Sequence, residues 1–103
     1  MFTVLHLVSP RCSRTPAWHT SELAFCFDNT ARCEQGTGNT PEAQALAKTM
    51  ATAWANFAHT GNPSQPGLAW TPSDPTRCQT MVFDTRSRMV DDPEGPVRRI
   101  LLT

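Results

Sequence analysis

The chain has 103 residues, nine lysines and arginines balanced by nine aspartates and glutamates, and 39% hydrophobic residues. This length suits about one small domain and excludes a large multidomain enzyme within the chain itself. The zero net charge creates no field that would attract phosphate or anionic lipid, so we expect neither nucleic acid nor a membrane as a partner. The nine prolines and the low charged fraction of 17% indicate a loop-rich globular piece.

The apolar stretches do not indicate membrane insertion or export. The longest, around Val4–Val8 and Glu22–Phe27, fall far short of the ~18 to 20 residues of a membrane helix. Residues 1–10 lack a cationic start and end at Pro10, not at small cleavage-site residues. We therefore expect no signal peptide or transmembrane segment in this chain and favour a cytoplasmic location, while any export signal of a longer form would lie upstream.

The first part of the chain predicts a strand, a short helix and a loop. Residues 2–8, rich in β-branched and apolar side chains, predict a strand that is buried on both faces and needs neighbours. The short apolar segment at 22–28 predicts one or two helical turns. Residues 30–39 combine polar side chains with two glycines and no periodicity, so they predict a mobile surface loop.

A long helix is predicted over Pro41–His59. Thr40 is a suitable N-cap and Gly61 supplies a stop. Residues at three- and four-residue spacing form one apolar stripe along this helix, namely Leu46, Met50, Ala53, Trp54 and Phe57. Such a stripe requires a large apolar surface to pack on.

The last part of the chain predicts an extended segment and a hairpin. The proline-rich residues 62–77 predict a covering segment pinned by Leu68 and Trp70. Residues 80–84 and 88–90 predict two short strands around a turn.

The cysteines do not indicate a metal site. Cys12, His19, Cys26 and Cys33 are spaced seven residues apart, but zinc sites of the Cys3His type pair their ligands through C-x2–4-C spacing, which is absent. We expect no metal and no cofactor, and thiols that pack as small apolar groups. The disulfide state of these three cysteines and Cys78 stays open, and a metal-binding module ranks third among the possible functions.

The recognisable chemistry lies in four short segments. The five glycines form no G-x-S-x-G elbow and no phosphate-binding loop, so the chain contains no recognisable serine nucleophile. Residues 16–27 read PAWHTSELAFCF and residues 54–63 read WANFAHTGNP, followed by WTPSDP at 70–75 and MVFD at 81–84. In this order they resemble the C-terminal part of the type B carboxylesterases, the α/β-hydrolase family of the bacterial para-nitrobenzyl esterases and the cholinesterases. The resemblance covers nearly the whole chain.

The resemblance implies an α/β fold class, with residues 1–103 as a single partial domain. This piece would be the C-terminal portion of an α/β-hydrolase fold, with a late sheet strand, the histidine loop, a long packing helix and a short C-terminal β-hairpin. The chain departs from the family at Pro16, where glycine is usual, and at Ser73, where an aromatic residue is usual. Pro16 fixes its own φ and removes an amide donor close to the histidine loop.

The same resemblance implies a serine carboxylic ester hydrolase. His19 takes the position of the general base of a Ser-Glu/Asp-His triad, and Glu22 takes a supporting position outside the triad. In α/β-hydrolases the triad runs serine, acid, histidine along the chain, so a C-terminal segment would retain the histidine. The serine, the acid and the oxyanion hole would lie outside this chain. The implied partners are a small-molecule carboxylic ester and the missing N-terminal part of the hydrolase domain.

Every candidate also has a structural interpretation. His19 would then be an ordinary loop histidine, and the whole chain a self-standing, truncated and non-catalytic protein or interaction module. We expect the isolated chain to hydrolyse no ester and to be poorly folded or self-associating, because its helical stripe would lack the sheet it should cover. The remaining candidates are most simply read as a strand residue, a helix-end cap and a solvated turn, namely His6, His59 and Asp91–Asp92.

Overall fold

The computed structural model describes the backbone of residues 3–7 and the complete residues 19–103. Within these residues the elements are β1 (Thr3–Leu7), α1 (Leu23–Cys26), a 3-10 helix (Thr30–Cys33), α2 (Glu34–Thr37), α3 (Pro41–Thr60), β2 (Gln79–Phe83), β3 (Arg88–Asp91) and α4 (Gly95–Leu101). The predictions that concern Cys12, Pro16 and Trp18 lie outside the described residues. No helix in the described part of the chain is long and apolar enough to cross a membrane.

The three described strands form one sheet in the order β1-β2-β3. β1 runs parallel to β2, with Thr3 opposite Thr80, and β3 runs antiparallel to β2, with Met89 opposite Met81. A hairpin turn is sufficient to join the antiparallel pair, whereas the parallel pair needs a long crossover connection, which here contains α3. The predicted first strand and the predicted hairpin are both confirmed.

The long helix α3 is fixed at both ends by its capping residues. At the start, the Ala43 N–H donates to Thr40 Oγ1 over 3.2 Å, and proline occupies the first turn. At the end, Gly61 adopts a left-handed φ of 75° and its N–H donates to the Phe57 carbonyl over 2.8 Å. The predicted helix is therefore confirmed, extended by one residue to Thr60.

The core lies between α1, α3 and the sheet, and it confirms most of the predicted stripe. Leu46, Met50 and Ala53 are buried, whereas Trp54 and Phe57 remain 36% and 49% exposed. The buried part of the stripe belongs to one cluster of apolar side chains, to which α1 and β2 also contribute residues. The cluster contains Phe25, Ala43, Leu46, Ala47, Met50, Ala53, Trp70, Met81 and Phe83. The expectation that the whole stripe would lack a sheet is therefore wrong for the N-terminal half of α3.

Residues 30–39 do not form the predicted irregular surface loop. They form the 3-10 helix and α2, because polar side chains there satisfy backbone groups. Thr37 Oγ1 lies 3.1 Å from the Thr30 carbonyl oxygen and 3.0 Å from the Cys33 carbonyl oxygen, and Thr30 Oγ1 donates to Asn39 Oδ1 over 2.9 Å. Both threonines are buried. The sequence pattern missed these turns because they are held by side-chain to backbone hydrogen bonds and not by an apolar period.

The segment 62–77 covers α3 as predicted. Trp70 is buried and its backbone N–H donates to Ser64 Oγ over 2.9 Å. Leu68 is partly buried and packs against the core. Two hydrogen bonds join this segment to α3: the α3 side chain Asn56 donates through Nδ2 to the Ser64 carbonyl over 2.8 Å, and Gln65 Nε2 of the segment donates to the Thr49 carbonyl of α3 over 2.9 Å.

Candidate active site

His19 lies in the turn that leads into α1, and it is exposed to solvent. The next residue, Thr20, has a left-handed φ of 71°, which is uncommon for a β-branched residue. The Thr20 carbonyl accepts a hydrogen bond from the Leu23 N–H over 3.2 Å, so the reversal is closed directly before the helix. The histidine therefore stands at the entrance of a defined turn that α1 continues.

Glu22 is the half-buried residue directly before α1, at its N-cap position and three positions after His19. Its carbonyl accepts hydrogen bonds from the Phe25 N–H at 3.0 Å and the Cys26 N–H at 2.8 Å. Its side chain makes no capping hydrogen bond. The backbone of Glu22 thus holds the first turn of α1, while its carboxylate is left for interactions other than capping.

The turn that carries His19 is attached to the core through α1. Phe25 is 2% exposed and belongs to the core cluster, and α1 packs against α3. Burial raises the pKa of the Cys26 thiol, an effect opposed by a side-chain hydrogen bond with Trp54 and reinforced by the negative charge of Glu22. Phe25 and Cys26 therefore hold α1 against the central part of α3.

Aromatic rings support the contact between α3 and the sheet. The ring of Trp54 lies 6.2 Å from that of Trp70 and 6.5 Å from that of Phe83, and the Trp70 and Phe83 rings meet edge to face at 5.6 Å. Pairs at these distances and tilts add to the stabilisation given by burial alone. The helix that supports α1 is thus fixed on β2.

A groove opens beside this turn, with a cavity volume of about 440 Å³. It begins at Thr20 and Ser21 and is bordered by Leu23, Phe27 and Arg32, among other residues. Leu23 is 49% exposed and Phe27 is 73% exposed. Sequence reasoning did not identify this surface, because the same apolar pattern 22–28 that predicted the helix does not say which apolar residues face outward.

The other candidate residues take different places. His59 is exposed in the last turn of α3, and His6 lies within β1. Of the expected solvated turn at Asp91–Asp92, Asp91 is the exposed last residue of β3, where it pairs with Arg77 at 3.0 Å, and Asp92 begins the turn that follows β3. Asp92 pairs with α4, a helix that the sequence reading missed.

The cysteines within the described residues are free thiols: Cys26, Cys33 and Cys78. In the same part of the chain, no three His, Cys, Asp or Glu side chains come close enough together to hold a metal ion. Of the seven-residue series considered for zinc, Cys12 lies outside the described residues.

Comparison with known proteins identifies the family. The model of the carboxylesterase family matches residues 5–96 of the chain. The chain belongs to the carboxylesterase family. It is 33% identical over 87 residues to the para-nitrobenzyl esterase of Bacillus subtilis (strain 168), a stretch that makes up 82% of this chain and 18% of that enzyme.

Solved carboxylesterase structures show the same fold. A thermophilic PNB esterase superposes with a TM-score of 0.78 at 32% identity, covering 96% of this chain and 20% of that chain. A carboxylesterase of Geobacillus stearothermophilus superposes with a TM-score of 0.71 at 34% identity, covering 86% of this chain and 19% of that chain. The expected fold class, a C-terminal portion of an α/β-hydrolase fold, is confirmed, and the chain spans about a fifth of the length of these relatives.

Proposed function

We propose that this chain supplies the general base of a serine carboxylic ester hydrolase, with His19 as that base. The observation that carries the proposal is the match of residues 5–96 to the carboxylesterase family, within which His19 occupies the exposed turn before α1. An exposed imidazole on an anchored turn can reach groups supplied from outside the chain. Residues 1–103 would then be a single partial domain, completed by the remaining part of the hydrolase domain.

In this reaction the His19 imidazole accepts the proton of a serine hydroxyl as that oxygen attacks the ester carbonyl. The same imidazole then returns the proton to the alcohol that leaves. A second cycle, with water in place of the serine hydroxyl, releases the acid. The serine, the carboxylate that orients His19 and the oxyanion-hole amides would lie outside this chain.

Glu22 would act as a positioning residue for His19. It occupies the N-cap position of α1, three residues after the histidine, and its carboxylate is not used for capping. A hydrogen bond from that carboxylate to a neighbouring group would hold the turn 19–22 in one conformation. Because it would act through His19 and not on the ester, Glu22→Gln should lower kcat with little change in KM and leave the fold intact.

A chimeric enzyme tests the proposal directly. Residues of this chain would replace the 87 matching residues of the B. subtilis para-nitrobenzyl esterase, and hydrolysis of a para-nitrobenzyl ester would be followed. We expect the chimera to be active and His19→Ala to lower kcat by about 10³-fold or more, as for other triad members. His59→Ala is the matched control, since His59 is also exposed and should be dispensable.

Three results would contradict the proposal. Near-normal activity of the His19→Ala chimera would remove His19 from the reaction. Hydrolysis of the ester by the isolated 103-residue chain would show that the chain carries a nucleophile of its own. A folded chimera that is inactive with His19 intact would favour the alternative, a non-catalytic protein that keeps the family fold without its chemistry.

A further inference from the structure

Helix α4 turns its apolar side to solvent. Val97, Ile100 and Leu101 are spaced three and four residues apart and therefore share one face of the helix. They are 51%, 73% and 78% exposed, and the adjacent Leu102 is 76% exposed. Among the described elements, none packs extensively on α4. These four residues form the α4 stripe, an apolar surface of the kind that normally packs on the core of its own domain.

Ion pairs and a close approach at Gly95 fix the position of α4. Arg98 binds the Asp92 carboxylate through two nitrogens, Nη2 to Oδ2 at 2.8 Å and Nε to Oδ1 at 3.2 Å, and Arg99 Nη1 lies 3.6 Å from Asp92 Oδ2. A Cβ atom at Gly95 would lie 2.5 Å from the same Oδ2 atom, so a larger residue there would displace the carboxylate. The α4 stripe is thus presented by a helix that specific contacts already hold.

The superposition on a full-length relative shows that α4 belongs to the shared fold. The superposition with the thermophilic PNB esterase covers 96% of this chain, which leaves too few residues outside it to omit α4. The same superposition covers only 20% of the relative, so four fifths of that fold lie outside the part that this chain matches. A face of a shared helix that none of the described elements covers is therefore available to the rest of the fold.

The size of the α4 stripe favours a partner within the same domain over a separate molecule. Stable interfaces between separate proteins involve about 20 to 30 residues a side, whereas the stripe has four. Association of two molecules also costs translational and rotational freedom, and a segment of the same polypeptide largely avoids this cost. A surface this small is therefore useful mainly when the rest of its own domain buries it.

We propose that the α4 stripe is a docking surface for the four fifths of the hydrolase domain that lie outside this chain. The surface that meets it should be apolar, because polar groups buried against Ile100 and Leu101 would lose their hydrogen bonds to water. The inference rests on the proposed function in one respect, namely that residues 1–103 are part of a longer hydrolase domain. It does not depend on His19 being the general base.

Thiol accessibility in a chimera tests the docking surface. Residues 1–103 carrying Ile100→Cys would replace the fifth of the thermophilic PNB esterase on which they superpose, and mass spectrometry would follow alkylation at position 100. We expect alkylation to be at least about tenfold slower in the chimera than in the isolated chain, because a buried side chain reacts only when its contact opens. Thr76→Cys is the matched control, since Thr76 is exposed in a polar turn and should react equally fast in both proteins.

Thermal unfolding gives a second, independent measurement. Ile100→Asp should lower the melting temperature of the chimera by at least about 5 °C, because the charge is buried there without a partner. The same variant should leave the melt of the isolated chain nearly unchanged, because the side chain is exposed there. Leu101→Asp should behave in the same way.

Several results would overturn the proposal. Equal alkylation rates at position 100 in the chimera and in the isolated chain would show that the stripe stays exposed, and equal protection of positions 76 and 100 would show that docking is not specific to it. Protection in the isolated chain would assign the stripe to a second copy if it grew with concentration, and to other residues of the same chain if it did not. A chimera that does not fold with Ile100 intact would show that the stripe does not fit the relative.

A failure of the proposed catalytic role would give a different pattern. The alkylation would be repeated in a chimera that also carries His19→Ala, and protection at position 100 should be unchanged there. Undiminished activity with His19→Ala, together with intact protection, would contradict the role of His19 alone. Loss of protection in a chimera whose activity still depends on His19 would contradict the docking surface alone.

Discussion

Replacing Phe25 by alanine tests whether α1, and with it the His19 turn, is anchored in the core. The side chain is only 2% exposed and packs in the cluster formed by α3 and β2. Loss of a buried Phe costs about 3 to 5 kcal/mol through lost transfer free energy and the cavity that remains. Small domains have about 5 to 15 kcal/mol in total, so Phe25→Ala should remove a large part of the stability.

Urea unfolding followed by tryptophan fluorescence would measure this loss. With m values of about 1 to 3 kcal/mol/M, the unfolding midpoint should fall by roughly 1 to 5 M. Phe27→Ala is the control at the residue that caps the end of the same helix, since Phe27 is 73% exposed and its removal should change stability by at most about 0.5 kcal/mol. Equal shifts for the two variants would refute the idea that Phe25 anchors α1.

Three further predictions concern the caps and the acidic side chains. Thr40→Ala should cost about 1 kcal/mol in urea unfolding, because the Ala43 N–H loses its acceptor, whereas Thr40→Ser should not. Gly61→Ala should cost about 1 kcal/mol through its φ of 75° alone, since no atom lies near the added Cβ. Asp74, through the Arg77 N–H, and Asp92, through the Arg98 side chain, have lowered pKa values. The melting temperature should therefore fall below about pH 4, because the unfolded chain, with its higher carboxyl pKa values, takes up protons before the folded chain does. Asp74→Asn should make the melting temperature depend less on pH in this range.

The parts of the fold that could be predicted are those encoded locally. The bounds of α3 follow from a capping threonine and a terminal glycine, and both operate as the sequence indicated. The hairpin follows from two short apolar runs around a turn. By contrast, α4 is a seven-residue helix without a side-chain cap, held by an ion pair between Arg98 and Asp92, and neither feature is visible as a sequence pattern. The helical turns at residues 30–39 were also not predicted. They are held by contacts of the Thr37 hydroxyl with backbone carbonyls, and they lack the periodic apolar residues that usually indicate a helix.

The candidate site was predictable only as a position in a motif. The pattern around His19 made this residue the candidate, but it gave no information on its exposure, on the left-handed turn at Thr20 or on the groove beside Phe27. These properties depend on which side of α1 the core takes, and that choice is made by Phe25. Residues two apart on a helix point in nearly opposite directions, so burial of Phe25 leaves Phe27 exposed.

The exposure of the α3 side chains also indicates how the support of the His19 turn would depend on protein outside residues 1–103. Along one stripe, exposure rises from 1% at Met50 to 36% at Trp54 and 49% at Phe57, so the core thins toward the end of the helix. The helix α1 packs on α3, and a hydrogen bond with the Trp54 side chain, at this thinner end, opposes the effect of burial, which raises the pKa of the Cys26 thiol at the end of α1. Additional apolar contact at Trp54 would therefore stiffen the support of α1 and the turn together. A chimera that covers Trp54 should accordingly protect the α1 amides from hydrogen exchange more than the isolated chain does, and equal protection would show that α1 needs no such support.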